Sequence, residues 1–136
     1  MLSRDDVELT RTLERCEVPN EGLPHASHLR VAWVYLCESA SLDQAVERMA
    51  ATLRRFAVSV GHAEKYSEPT TVFWMLQIAA ARAVMPGAGM DEVLRAYPRL
   101  LDKNFIRADD PHHVIAPDPL DSSRDAPGRA LSGRSA

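Results

Sequence analysis

Apolar residues recur at helical spacing through most of the chain, and the longest regular series lies between residues 42 and 60. The steps alternate between four and three residues, which places the apolar side chains on one face of an α-helix. Ser41 and Gln44 have the spacing of a capping box at its start, and Gly61 follows at its end. The sequence therefore predicts a helix on this segment, with its apolar face formed by Leu42, Val46, Met49, Leu53, Phe56 and Val60.

Other segments also have helical patterns of apolar residues, but these are less regular than the pattern at residues 42–60 or cover more of the helix surface. Residues 25–38 are apolar on almost every face, which predicts a helix covered on more than one side, by its own chain or by a second copy in a homodimer. A helix after Ser67, running to about residue 83, is the most apolar, and we expect it to be the central helix. A first helix after Ser3 and a short one at 90–97 complete an all-α bundle of about four to five helices.

The composition changes near residue 108, where prolines mix with Asp, Ser and Gly and aromatic residues end. We expect one helical domain over residues 1–107 and a flexible tail over 108–136. A length of 136 residues suits a single domain with one core.

Charge and cysteine usage narrow the classes of partner and compartment. The net charge is -3 and the cations are scattered, so we expect no nucleic-acid partner. The longest apolar run, residues 70–85, is shorter than the roughly 20 residues that a bilayer requires, so we expect no membrane span. Cys16 and Cys37 lack CxxC spacing and indicate buried thiols of a reducing compartment. With no signal peptide at the N-terminus, this predicts a cytoplasmic protein.

The clearest candidate chemistry is the pair His25 and His28. Residues three apart share one helix face, and a helix N-terminus disfavours positive charge, so we expect neutral imidazoles that can bind a metal or accept a proton. The alternative is that the pair only caps the helix. Tyr66 and Glu68 stand at the start of the helix after Ser67, where a carboxylate is stabilised by free amides or, if buried, needs a partner.

These residues suggest one site. Two histidines and the Glu68 carboxylate suit a divalent transition metal such as zinc, iron or copper. Glu68 would be the third ligand or a general base, and Tyr66 a donor to developing negative charge. Without a metal, one histidine would act as a base with Glu68 as its partner. The expected pocket for a small-molecule substrate comprises Trp33, Thr71, Trp74 and Gln77.

Three motifs resemble a family of small, largely uncharacterised bacterial all-helical proteins. They are H-x-x-H-x-x-x-A-W-x-Y-L at 25–36, L-x-x-F-A at 53–57 and G-x-x-x-K-Y-S-E at 61–68. The resemblance spans about residues 23–107 and implies a helical fold with a shared polar site at His25, His28 and Glu68. Ser67 and Pro69 stand where the family segment, K-Y-H-E-T-like, has His and Thr, so the resemblance also implies that this member has lost a ligand and, as one alternative, its activity.

Two classes of function follow. The first is a metal-dependent or acid/base enzyme acting on a small metabolite, in a bacterial biosynthetic pathway if the resemblance holds. The second is a non-catalytic binding or assembly module, in which the apolar surfaces are interfaces. Convergence of the helix starts near His25 and Glu68, with Glu68 buried beside both rings, would favour the first class.

Overall fold

The computed structural model describes residues 2–103 of the chain, so the tail predicted for 108–136 and its boundary lie outside the described residues. Within this range the chain forms helices and no strand, which confirms the predicted all-α bundle. The α-helices are α1 (Arg4–Glu14), α2 (His25–Glu38), α3 (Leu42–Ser59), α4 (Glu68–Val84) and α5 (Met90–Ala96), with short 3₁₀ helices at Ala63–Lys65 and Pro98–Leu101.

Serine side chains begin three of these helices, as the sequence predicts. Ser3, Ser41 and Ser67 each accept a hydrogen bond from the backbone N–H three residues ahead, which satisfies one of the free donors of a first turn. The capping box of α3 differs in one detail, because the Gln44 side chain accepts from the N–H of Ala40 rather than from that of Ser41. Gly61, with φ of +78°, allows the chain to turn away after α3.

The central helix is α2, and the prediction that the helix after Ser67 takes this place is wrong. All six residues from Val31 to Leu36 are buried, and α2 packs against α1, α3 and α4. The physical reason is the distribution of apolar side chains, which surround α2 but leave α4 with exposed positions such as Val84. Because its own chain covers α2, the apolar excess of this helix no longer argues for a second copy.

Three helix ends lie close together at one end of the bundle. The short connection between α2 and α3 makes them antiparallel neighbours. Arg54 near the end of α3 forms an ion pair with Glu68 at the start of α4, and the His25 ring at the start of α2 contacts Trp74 of α4. The start of α2, the end of α3 and the start of α4 therefore lie at the same end of the bundle.

The structure bears on two predictions from the sequence, one on the burial of the cysteines and one on membrane-spanning helices. Cys16 and Cys37 are free thiols, but both are only partly buried, which differs from the predicted buried thiols. Within residues 2–103, no helix has the length and apolar character that a membrane span requires.

Candidate functional site

An open cavity of about 1010 Å³ lies where the three helix ends meet. Its volume is at the upper end of the range of roughly 300–1,000 Å³ that is typical of small-molecule sites. The deeper walls are apolar and come from three helices, so the cavity can bury the hydrophobic part of a ligand. The apolar side chains deepest in the fold are Leu29 and Ala32 of α2, Met49 of α3 and Met75 of α4.

The mouth of the cavity is polar, in contrast to its walls. The loop before α2, the 3₁₀ helix Ala63–Lys65 and the first turn of α4 all contribute to it. The polar side chains that line the cavity include His25, His28, His62, Lys65, Tyr66, Ser67, Thr70 and Thr71. A ligand with one polar end and an apolar body would match this division.

His25 is held in place by two contacts. Its Nε2 lies 2.9 Å from the carbonyl oxygen of Leu100, and its ring meets Trp74 edge-on, with centroids 4.6 Å apart. Because a carbonyl oxygen only accepts hydrogen bonds, this contact assigns the proton of a neutral ring to Nε2. Nδ1 is then the acceptor that the ring retains.

His28 lies one turn further along α2, partly buried on the cavity wall. Burial lowers the pKa of His28, and the neighbouring His25 imidazole lowers this pKa further. No residue in the described range 2–103 forms a hydrogen bond with the ring. His28 is therefore a neutral imidazole at the edge of a cavity, and its ring nitrogens have no hydrogen-bond partner among the described residues.

Glu68 does not join the histidines, contrary to the prediction for this residue. It is exposed and accepts a 2.8 Å hydrogen bond from Nη1 of Arg54, and it is not on the cavity wall. Tyr66 does line the cavity, but its hydroxyl makes a long contact of 3.4 Å to Glu68, and the Arg54 guanidinium lies 5.6 Å from the centre of its ring. The first residue of α4 faces α3 and solvent, where Arg54 neutralises its charge.

The predicted metal ligands do not form a donor set. Among residues 2–103 there is no group of three or more His, Cys, Asp or Glu side chains placed to hold a metal. Glu68 is engaged by Arg54, and Nε2 of His25 faces Leu100. His25, His28 and Glu68 thus do not fit a shared zinc, iron or copper ion in this arrangement, and we derive no chemistry through one.

The predicted pocket residues divide into two pairs. Thr71 and Trp74 lie on the cavity wall, and the Thr71 hydroxyl donates to the carbonyl of Ser67. Trp33 and Gln77 are buried away from the wall, contrary to the prediction. Trp33 follows the wall residue Ala32 and is rotated by about 100° around α2, which turns its indole into the core. Gln77 lies further along α4 than Met75, the last wall residue of that helix.

The loop formed by residues 20–24 is a part of the wall that sequence reasoning missed. Gly22 adopts a φ of +89°, and a Cβ at this position would lie 3.8 Å from the Phe56 ring, so the loop passes close to α3. The available signal was the pair of prolines, Pro19 and Pro24, on either side of a glycine, which predicts a shaped turn but not its neighbour.

Comparison of the chain with protein-family models, with curated proteins and with solved structures found no match. The resemblance to a bacterial helical family therefore stays a prediction. The function has to be argued from the cavity and the residues that line it.

Proposed function

We propose that this chain binds a small, largely apolar molecule in the cavity between α2, α3 and α4, and that His28 exchanges a proton with the polar end of that molecule. One observation supports this above the others. His28 is a neutral imidazole on the wall of a large cavity, without a hydrogen bond to any described residue. Perturbed titratable groups in clefts are characteristic of functional sites.

In this proposal His28 is a general base, because a neutral ring can accept a proton from a C–H or O–H group of the substrate. His25 is a positioning residue, fixed by Leu100 and Trp74, and its proximity contributes, after burial, to the lowered pKa of His28. The Tyr66 hydroxyl, with only a long contact to Glu68, is the donor available to developing negative charge. The reaction class is a proton transfer, cyclisation or lyase step on a hydrophobic metabolite.

A carrier that binds without reacting is the second candidate. The observation that favours it is the position of Glu68, which pairs with Arg54 and lies off the cavity wall, so this carboxylate does not stabilise a protonated His28. Both candidates require the same cavity, and they differ only in the chemistry of His28.

Binding is tested with N-phenyl-1-naphthylamine, a neutral apolar dye that fluoresces when it leaves water. We expect saturable binding to the full-length chain and at least a tenfold weaker affinity in Ala57→Trp, because Ala57 lies on the α3 wall and an indole there occupies the cavity. Ala51→Trp is the matched control on an exposed position of the same helix. An equal affinity in both variants, with both folded by circular dichroism, would place the dye elsewhere and contradict the proposal.

Proton transfer is tested by incubating a metabolite extract with wild type or His28→Gln and following substrate loss by mass spectrometry. We expect a compound consumed by wild type and spared by the variant, with a rate loss of about 10² to 10⁴. The variant should still bind the dye, since the apolar walls are intact. Consumption by neither protein, with dye binding retained, would favour the carrier.

A further inference from the structure

The cavity carries a balance of charges opposite to that of the chain. The chain has a net charge of -3. Among the described residues that line the cavity are two ammonium groups, those of Lys65 and Lys103, and one carboxylate, that of Glu21. Local charge of one sign at the mouth of a low-dielectric cavity attracts a ligand of the other sign.

These lysines also differ from the cations of the helix interfaces. Arg11, Arg30 and Arg48 each form ion pairs with carboxylates, whereas neither Lys65 nor Lys103 is within ion-pair distance of a carboxylate of the described part of the chain. The nearby Glu64 faces His62, at 3.6 Å between Oε2 and Nδ1. Within residues 2–103, therefore, neither lysine is held in an ion pair, although Lys65 is close enough to Glu64 for their charges to interact.

The start of α2 adds to this positive potential. Pro24 occupies the N-cap position without a side-chain hydrogen bond, and the first turn of α2 contains no acidic residue. A side-chain acceptor at the N-cap satisfies one of the free amides of a helix start, and α1, α3 and α4 all have one. The partial positive charge of the α2 N-terminus thus faces the cavity mouth without internal compensation.

From this charge distribution, and resting on the function proposed above, we infer that the ligand is an amphipathic monoanion with an extended apolar body and one acidic group, such as a hydrophobic carboxylic acid. The apolar body contacts the deeper walls around Met49 and Met75. The acidic group stays at the mouth near Lys65 and Lys103, because an anion buried among apolar side chains would lose its hydration without compensation. A monoanion is favoured over a polyanion such as a nucleotide, because the described lining residues supply two lysines and no arginine for bidentate phosphate contacts.

The test compares two dyes that share one apolar body. 8-Anilino-1-naphthalenesulfonate carries a sulfonate, and N-phenyl-1-naphthylamine lacks it. We expect the full-length chain to bind the sulfonate at least tenfold more tightly in fluorescence titrations at moderate salt. In Lys65→Gln/Lys103→Gln this preference should fall at least fivefold, with the affinity for the neutral dye unchanged within a factor of two.

The matched control is Arg4→Gln/Arg95→Gln, which removes the same charge from exposed positions outside the cavity. It should leave both affinities unchanged. Equal affinity for the two dyes in wild type would overturn the anion preference and leave the proposed binding function standing. An equal loss of sulfonate affinity in both double variants would also overturn it, since the attraction would then be a general surface effect. Binding of neither dye would contradict the proposed function itself.

Discussion

On one side of α2 the polar side chains are paired with one another, whereas on the other side, at the cavity, some have no partner among residues 2–103. On one side, where α2 meets α1 and α3, Tyr35 donates to Oε2 of Glu14 at 2.6 Å and lies 2.7 Å from the Thr52 hydroxyl, an arrangement that we call the Tyr35 junction. Arg11 pairs with Glu14 and Glu38 around it. Burial, together with the Glu14 carboxylate, raises the pKa of Tyr35 to about 12, so its proton stays on the phenol.

On the other side of α2, the cavity leaves polar groups uncommitted. His28 lies on its wall without a hydrogen bond to any residue from 2 to 103, and Lys65 has no carboxylate partner there. A satisfied buried network specifies how helices pack. Polar groups that line an apolar cavity without protein partners contribute little to packing and are available to bind a ligand. The difference separates residues that maintain the fold from residues that are candidates for function.

The largest stability effect should come from Tyr35→Phe. Removing the hydroxyl leaves the buried Thr52 without its partner and takes a donor from Glu14, which should lower the free energy of unfolding by about 1 to 3 kcal/mol. Urea denaturation measures the change, and dye affinity should stay at the wild-type value. Tyr66→Phe is the matched control at the cavity, where we expect a change within about 0.5 kcal/mol. Equal losses of unfolding free energy in the two variants would contradict the proposed difference between the Tyr35 junction and the cavity.

A smaller effect should appear in the dependence of stability on pH. The unfolded chain protonates a histidine near pH 6.5, whereas the pKa of folded His28 is lower, so protons favour the unfolded state in between. The contribution of neutral His28 is therefore complete above pH 6.5 and is lost as pH falls toward its folded pKa. Urea midpoints at pH 7.5, 6.5 and 5.5 should fall more steeply for wild type than for His28→Gln. Parallel curves would mean that His28 titrates as it does in water.

The smallest effect is expected for Glu68→Gln. Its ion pair with Arg54 is exposed on both sides, so the free energy of unfolding should change by no more than about 1 kcal/mol. Dye affinity should remain within a factor of two, since Glu68 does not line the cavity. Arg54→Gln should behave in the same way by both measurements. A large loss of affinity in Glu68→Gln alone would return this carboxylate to the site and restore its predicted pairing with the histidines.

The sequence predicts those features that depend on neighbouring residues. Helix starts at Ser3, Ser41 and Ser67 follow from contacts over three residues, and the structure confirms them. The facing of His25 and His28 toward one cavity also follows from helical spacing. Local periodicity and capping chemistry are sufficient for these predictions.

The sequence does not predict the features that depend on packing between distant segments. Glu68 finds Arg54 fourteen residues earlier in the chain, and His25 finds Leu100 seventy-five residues later. Neither partner has a local sequence signature, because a carboxylate or an imidazole can pair with any suitable group that packing brings near. The same reason applies to Trp33, because apolar periodicity does not distinguish the face of α2 that lines the cavity from the face that packs in the core.

In the function that we propose, His28 is a neutral base on the wall of an open binding cavity. The most direct test is a pH titration of the histidine ring signals by NMR on the full-length chain, with and without saturating N-phenyl-1-naphthylamine, the His28 signal being identified by its loss in His28→Gln. We predict a pKa below about 6.5 for His28 in the free protein and a still lower pKa with the dye bound, because a neutral ligand removes water from the ring. A pKa at or above 6.5 that the dye does not change would contradict the account.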